Sequence, residues 1–148
     1  MSPYSFKNGW DMSKIVMNLT AADFRWGALT ARDEIRKRTL NGNDINSKPF
    51  VPYSQTTIDR RAAVGKKTDI VNLEDTNSML GSLTIDANNE RGIVGLSNAN
   101  AAEYGLNHQT GSGVPKREWF GLSDSGLQDL SVKLCNKIIE RNEKKGAK

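Results

Sequence analysis

The chain has 148 residues, which is the size of one ordinary domain with one modest core. Its net charge is only +4 because 21 basic side chains are dispersed among 17 acidic ones, so overall charge does not indicate nucleic acid. A mean hydropathy of −0.59 is typical of a polar chain with long exposed loops or with surfaces that partner subunits cover. No apolar run approaches the roughly 20 residues of a membrane span, and the start lacks a signal-peptide pattern, so we expect cytoplasmic synthesis and no membrane contact.

Residues that bind soft metals are scarce. Cys135 is the one cysteine and His108 the one histidine. A single cysteine excludes an internal disulfide, and the pair is too small for a zinc cluster. We therefore expect neither a metal nor a cofactor.

The N-terminal part of the chain has a helical pattern. Apolar side chains recur at three- and four-residue steps over residues 11–40, which predicts one long helix or two shorter ones. Thr20 with Asp23 resembles an N-cap for the second helix, and Asn41-Gly42 is a natural C-terminal stop.

A long loop is predicted over residues 41–57, since turn-forming residues occur throughout and prolines stand at 49 and 52. Phe50 and Tyr53 are candidate anchors for this loop, either on its own domain or on a neighbouring subunit. Residues 58–64 then predict a short helix that ends at Gly65.

The pattern changes to alternation between residues 79 and 96, which predicts a β-hairpin with its tip at residues 88–90. A short helix or turn over residues 100–104 follows and leads to Gly105. The last predicted element is a helix with a capping box formed by Ser125 and Gln128, and with an apolar stripe that includes Leu127, Leu130, Leu134 and Ile138. Residues 142–148 have nothing to bury and are expected to fray.

Residues 108–123 are the most informative segment. His108-Gln109 runs into a glycine hinge, and Pro115 favours an extended conformation that we expect to start a strand. Trp119 and Phe120 lie beside basic Lys116 and Arg117, a combination typical of protein interfaces. We interpret the segment as a docking loop, with burial of both rings in the domain's own core as the alternative.

Enzymatic interpretations are weaker. A Cys135–His108 pair needs an exposed cysteine, yet Cys135 lies near the apolar face of a helix. A metal nuclease built on His108 and Glu103 lacks the expected cluster of acids. Basic residues indicate either a nucleic-acid contact or a solvated helix face, and the four candidates are Arg60, Arg61, Lys66 and Lys67.

The order of these segments resembles the phage virion-morphogenesis, or tail-completion, family of tailed bacteriophages and prophages. The resemblance runs from the basic helix at Arg32 through residues 48–54, residues 73–83 and the hairpin. It is most specific at His108-Gln109 and at residues 114–123, Val-Pro-Lys-Arg-Glu-Trp-Phe-Gly-Leu-Ser.

The resemblance implies a structural virion protein, not an enzyme, that acts in tail completion and head–tail joining at the neck. It also implies a homo-oligomeric ring, with a hexamer favoured, that touches tail tube or tail terminator and head connector proteins and contacts packaged DNA non-specifically. The alternative is a DNA-binding module of phage or prophage origin. The expected fold is a single α+β domain over residues 1–148, with a small antiparallel sheet, made of the hairpin plus one or two further strands, between a long N-terminal helical region and a C-terminal helix. The candidate interface residues are Phe50, Tyr53, His108, Arg117, Trp119 and Phe120.

Overall fold

The computed structural model describes residues 19–146. Five helices and one hairpin follow each other along this part of the chain, and they confirm the α+β class. The predicted helix start at residues 11–18 lies outside the described residues. The elements are α1 (Ala21–Leu40), α2 (Gln55–Ala63), α3 (Ser78–Gly81), β1 (Leu83–Ala87), β2 (Gly92–Leu96), α4 (Ala99–Thr110) and α5 (Asp124–Gly146).

Helix α1 begins and ends where its local sequence predicts. The Thr20 side chain accepts a hydrogen bond from the Asp23 backbone N–H, and the Asp23 side chain accepts one from the Thr20 backbone N–H. This capping box satisfies two N–H groups that the first turn would otherwise leave without partners. At the other end, Asn41 is the C-cap and Gly42 has a left-handed φ of 81°.

The hairpin packs on α1. Strands β1 and β2 are antiparallel, with Leu83 opposite Leu96 and Ala87 opposite Gly92. A Cβ at Gly92 would lie 2.6 Å from the Phe24 carbonyl oxygen, so glycine permits the close approach of the hairpin to the helix. The sheet of the described residues has these two strands only. The strand expected after Pro115 is instead an extended segment that pairs with no strand.

The core lies between α1, the base of the hairpin and the loops that cross it. Its buried members come from six separate segments of the chain, and they are Ile35, Phe50, Leu73, Met79, Leu80, Leu83 and Trp119. Because only Ile35 belongs to α1 and none of these residues belongs to α5, the loops supply much of the apolar contact that holds the fold together.

Three element boundaries differ from the sequence-based expectation. Helix α2 begins at Gln55, because the Ser54 hydroxyl accepts from the Thr57 N–H, so the loop ends at residue 54. Helix α4 continues through Gly105 to Thr110 and ends at Gly111, which has a φ of 80°. The cap of α5 is Ser123 rather than Ser125, since its hydroxyl accepts from the Gly126 N–H at 3.1 Å.

Helix α5 also reaches farther than predicted. It continues to Gly146, and Asn142 is buried with its side-chain amide donating to the Ile138 carbonyl oxygen. Near its end, Arg141 forms an ion pair with Asp23 of the α1 cap at 3.0 Å. The tertiary contact between Arg141 and Asp23 therefore holds the last turns, where the local sequence predicts fraying. No helix within residues 19–146 is long and apolar enough to cross a membrane.

Candidate functional site

An open cleft of about 340 Å³ lies between α2, the segment before α3, α4 and the extended segment after Gly113. It brings together five of the residues that the sequence singled out: Tyr53, Arg60, Arg61, His108 and Arg117. Apolar groups from Leu73, Met79, Val114 and Pro115 complete its walls, together with the ring of Tyr104. We call this surface the tyrosine cleft.

Tyr53 lines the tyrosine cleft and its ring contacts two arginines. The Arg61 guanidinium carbon is 4.8 Å from the ring centroid, and that of Arg117 is 5.4 Å away. Both distances are within the range of cation–π attraction, which strengthens where water is excluded. Two contacts therefore hold Tyr53, which acts as a loop anchor within its own chain.

Arg117 is a buried cation without a charged partner. Its side chain is 4% exposed and donates from Nε to the Val51 carbonyl oxygen at 2.9 Å and from Nη2 to that of Pro52 at 3.2 Å. Burial lowers the pKa of Arg117, although the nearby Tyr53 acts in the opposite direction. Within residues 19–146 no carboxylate forms an ion pair with it, so its described partners are neutral: the two carbonyl groups and the Tyr53 ring.

Arg61 is buried as well, and it organises the opposite wall. Its guanidinium donates to the carbonyl oxygens of Lys67 and Glu74 and to the side-chain oxygen of Asn72. These three bonds tie residues 67–74 to α2. Leu73 within this segment has a left-handed φ of 54°, a strained conformation for a branched residue that persists because neighbouring bonds hold it.

Asp75 forms ion pairs with three basic side chains of this wall. Lys66 Nζ lies 2.9 Å from Asp75 Oδ1, Arg60 Nη1 lies 3.3 Å from Oδ2, and Arg61 Nη1 lies 3.9 Å from Oδ1. The hydrogen bond from Lys66 is the main cause that lowers the pKa of Asp75, against a smaller opposing effect of burial. Three of the four candidate nucleic-acid residues thus have an internal partner, while Lys67 is exposed.

His108 lies in the last turn of α4 at the edge of the tyrosine cleft. Its Nδ1 atom is buried and has no hydrogen-bond partner. Burial lowers the pKa of His108, and the positive charge of Arg117 lowers it further, so the ring is neutral at pH 7. Its backbone carbonyl oxygen accepts from the Arg117 N–H at 2.7 Å, which links α4 to the extended segment.

The segment predicted to be a docking loop is not one loop: its first residues belong to α4, and its tryptophan lies in the core. His108 and Gln109 belong to α4, and Trp119 is 1% exposed with its indole N–H donating to the Gly105 carbonyl oxygen at 2.9 Å. Phe120 is half-buried and meets the Trp119 ring edge-on, with centroids 5.3 Å apart. These positions agree with the alternative interpretation, in which the rings belong to the domain's own core.

Phe50 also lies in that core. Of the six candidate interface residues, Phe50, Arg117 and Trp119 are buried. In this conformation they do not offer their side chains to another subunit.

Gln109 has a role that sequence reasoning did not assign. Its side-chain oxygen accepts from the backbone N–H groups of Trp119 at 3.1 Å and Phe120 at 3.0 Å, and its amide donates to the Phe120 carbonyl oxygen at 3.3 Å. Asp75 and Tyr104 were also missed. The sequence predicts only that Tyr104 ends a short helix or turn, and nothing local marks Asp75 as a partner of residues nine to fifteen positions away.

The comparisons with known proteins add no relative. No family model, no curated protein and no solved structure matches this chain significantly. Among residues 19–146 there is also no cluster of three or more histidine, cysteine or acidic side chains with the geometry of a metal site.

Proposed function

We propose that this protein is a structural virion component of a tailed phage or prophage, which acts in tail completion and head–tail joining at the neck. It works as a homo-oligomeric ring, with a hexamer favoured, made in the host cytoplasm and built into the virion. Its partners are tail tube or tail terminator proteins and head connector proteins. The observation that carries the proposal is the His-Gln and Val-Pro-Lys-Arg-Glu-Trp-Phe-Gly-Leu-Ser pattern of residues 108–123.

The geometry of this pattern supports a role in binding and assembly. Gln109 holds two backbone N–H groups of the extended segment, and Arg117 holds two carbonyl groups of the loop before α2. Arg38 of α1 reaches the same segment, donating to the carbonyl oxygens of Trp119 and Gly121. The segment that carries the resemblance is therefore hydrogen-bonded to α1, α4 and the long loop. These bonds hold the three elements together and give the surrounding surface a defined shape.

Exposed apolar side chains support subunit contact. Tyr104, Leu106 and Leu127 are each more than half exposed, although each is large enough to stabilise a core when buried. Val51 and Val64 add to the set from the loop and from the end of α2. A ring needs two different patches on each subunit that fit one another, and the tyrosine cleft and α5 lie on different elements.

The first test is the solution mass of the full chain across a concentration series, measured by light scattering. A discrete species near six times 16.3 kDa, or another fixed multiple, is expected, and electron micrographs of it should show closed rings. A chain that stays monomeric at every concentration contradicts the ring.

Inactivation of the gene in the genome that carries it tests the place of action. The expected result is the accumulation of DNA-filled heads and separate tails in electron micrographs of the lysate. Complete virions in normal number would contradict a role in head–tail joining.

The alternative function, DNA binding, receives less support from the geometry. Arg60, Arg61 and Lys66 all lie close to Asp75, and Arg61 is buried, so these cations are less available to phosphates than the sequence suggests. Titration of the chain against duplex DNA at 50 and 200 mM salt separates the two functions. Binding that falls by about three orders of magnitude or more over this range would favour the DNA-binding module.

A further inference from the structure

We propose that the tyrosine cleft is the receiving half of a head-to-tail contact, and that the first two turns of α5 from a second copy of this chain occupy it. The inference rests on the proposed oligomeric function and specifies the surfaces that join the subunits. The occupant is residues 124–130, Asp-Ser-Gly-Leu-Gln-Asp-Leu.

The cleft carries an excess of positive charge. Three arginines line it against one carboxylate, Asp75, which is already paired with Lys66 and Arg60. Arg117 contributes a charge that is 4% exposed and bonded to neutral carbonyl groups. An unpaired cation at low exposure is unfavourable by itself, and a carboxylate brought near the cleft lowers that cost.

The start of α5 has the complementary character. Asp124 and Asp129 give residues 124–130 a charge of −2, with no basic residue in the segment. Leu127 stands between them and is 51% exposed. An apolar side chain flanked by carboxylates matches a cleft whose walls combine apolar groups with arginines, as in other complexes where an amphipathic helix lies in a groove.

The apolar part of the cleft is also exposed on the free subunit. Tyr104 is 65% exposed at the rim, and Val114 and Pro115 face the same opening. Burial of such rings and of a leucine is favourable by roughly 25 cal/mol per Å² of apolar area removed from water. The helix start is already formed in the free subunit, with Ser123 as its cap, so binding does not have to fold it.

The two surfaces belong to different parts of one subunit. None of the described residues that line the cleft comes from α5. A contact between unlike surfaces repeats from copy to copy, which produces a ring if the rotation closes and a filament if it does not.

Single substitutions on the two surfaces test the contact by sedimentation velocity of the full chain. Tyr104→Glu places a negative charge at the cleft rim, and Leu127→Lys places a positive charge on the helix start. Each is expected to raise the concentration needed for association at least about tenfold. Ile93→Lys is the matched control, because Ile93 is an exposed apolar residue of β2, 41% exposed, that belongs to neither surface. Circular dichroism checks that each variant folds, and Asp129→Lys replaces Leu127→Lys if it does not.

A mixture of the two variants gives the most specific result. The Tyr104→Glu subunit keeps its helix start and the Leu127→Lys subunit keeps its cleft, so the mixture should form dimers at concentrations where neither variant associates alone. Normal assembly of each single variant would overturn this contact while leaving the ring proposal intact. A wild-type chain that is monomeric throughout would overturn both.

Discussion

Gly105→Ala tests whether packing or local propensity decides the middle of α4. Alanine favours a helix interior over glycine by about 1 kcal/mol, so propensity alone predicts a more stable protein. In the fold, however, the new Cβ would lie 2.7 Å from Trp119 Cζ2 and 3.2 Å from Leu96 Cδ1. Trp119 is enclosed and its indole is hydrogen-bonded to the Gly105 carbonyl oxygen, so the ring has no space to move aside.

Overpacking of this kind costs about 1–3 kcal/mol. After the gain in helix propensity is subtracted, we expect Gly105→Ala to lower the free energy of unfolding by up to about 2 kcal/mol. That is a measurable fraction of the total stability of a domain of this size.

The Trp119→Phe background provides the control, because phenylalanine lacks both Cζ2 and the indole N–H. Trp119→Phe should destabilise the protein on its own, but adding Gly105→Ala to it should be neutral or stabilising by up to about 1 kcal/mol. Urea unfolding followed by circular dichroism, at concentrations where the chain is monomeric, measures all four proteins of this cycle. A stabilised Gly105→Ala protein, or equal effects of Gly105→Ala in both backgrounds, would refute the packing argument.

Three further predictions concern the tyrosine cleft and its supports. Gln109→Leu should lower the free energy of unfolding by about 2–4 kcal/mol, because two backbone N–H groups lose their acceptor. Gln109→Glu keeps that acceptor and should cost less. Equal losses for the two variants in urea titrations would argue against this role of the Gln109 side-chain oxygen. Arg117→Lys should destabilise by about 1–3 kcal/mol, since a lysine does not reproduce the two forked bonds to the loop, and an unchanged melting curve would show that these bonds are dispensable. His108 has a lowered pKa, so its contribution to stability is fully present above the unfolded value near 6.5 and is lost as pH falls below it. His108→Gln should flatten that part of the stability profile relative to the wild type, and identical slopes for the two proteins would contradict the assigned burial.

The sequence by itself determined the elements that depend on near neighbours. Residues two to four positions apart set the Thr20–Asp23 cap, the stop at Asn41-Gly42 and the hairpin tip at residues 88–90, so each pattern can be recognised along the chain. The α+β class follows from the same local signals. At Gly105 the local signal is wrong. Glycine favours the end of a helix there, but α4 continues, and the position has no room for a side chain because Trp119 packs against it.

The tertiary structure decided the cleft and the positions of the aromatic residues. Arg117 meets carbonyl groups 65 and 66 residues away, and Arg38 meets carbonyl groups more than 80 residues away. No periodicity encodes such pairings, because they depend on how separate segments close over one core. The same reason explains why Trp119, part of an apparent docking motif in the sequence, lies inside the domain with the half-buried Phe120 packed against the core, while Tyr104 and Leu127 remain at the surface.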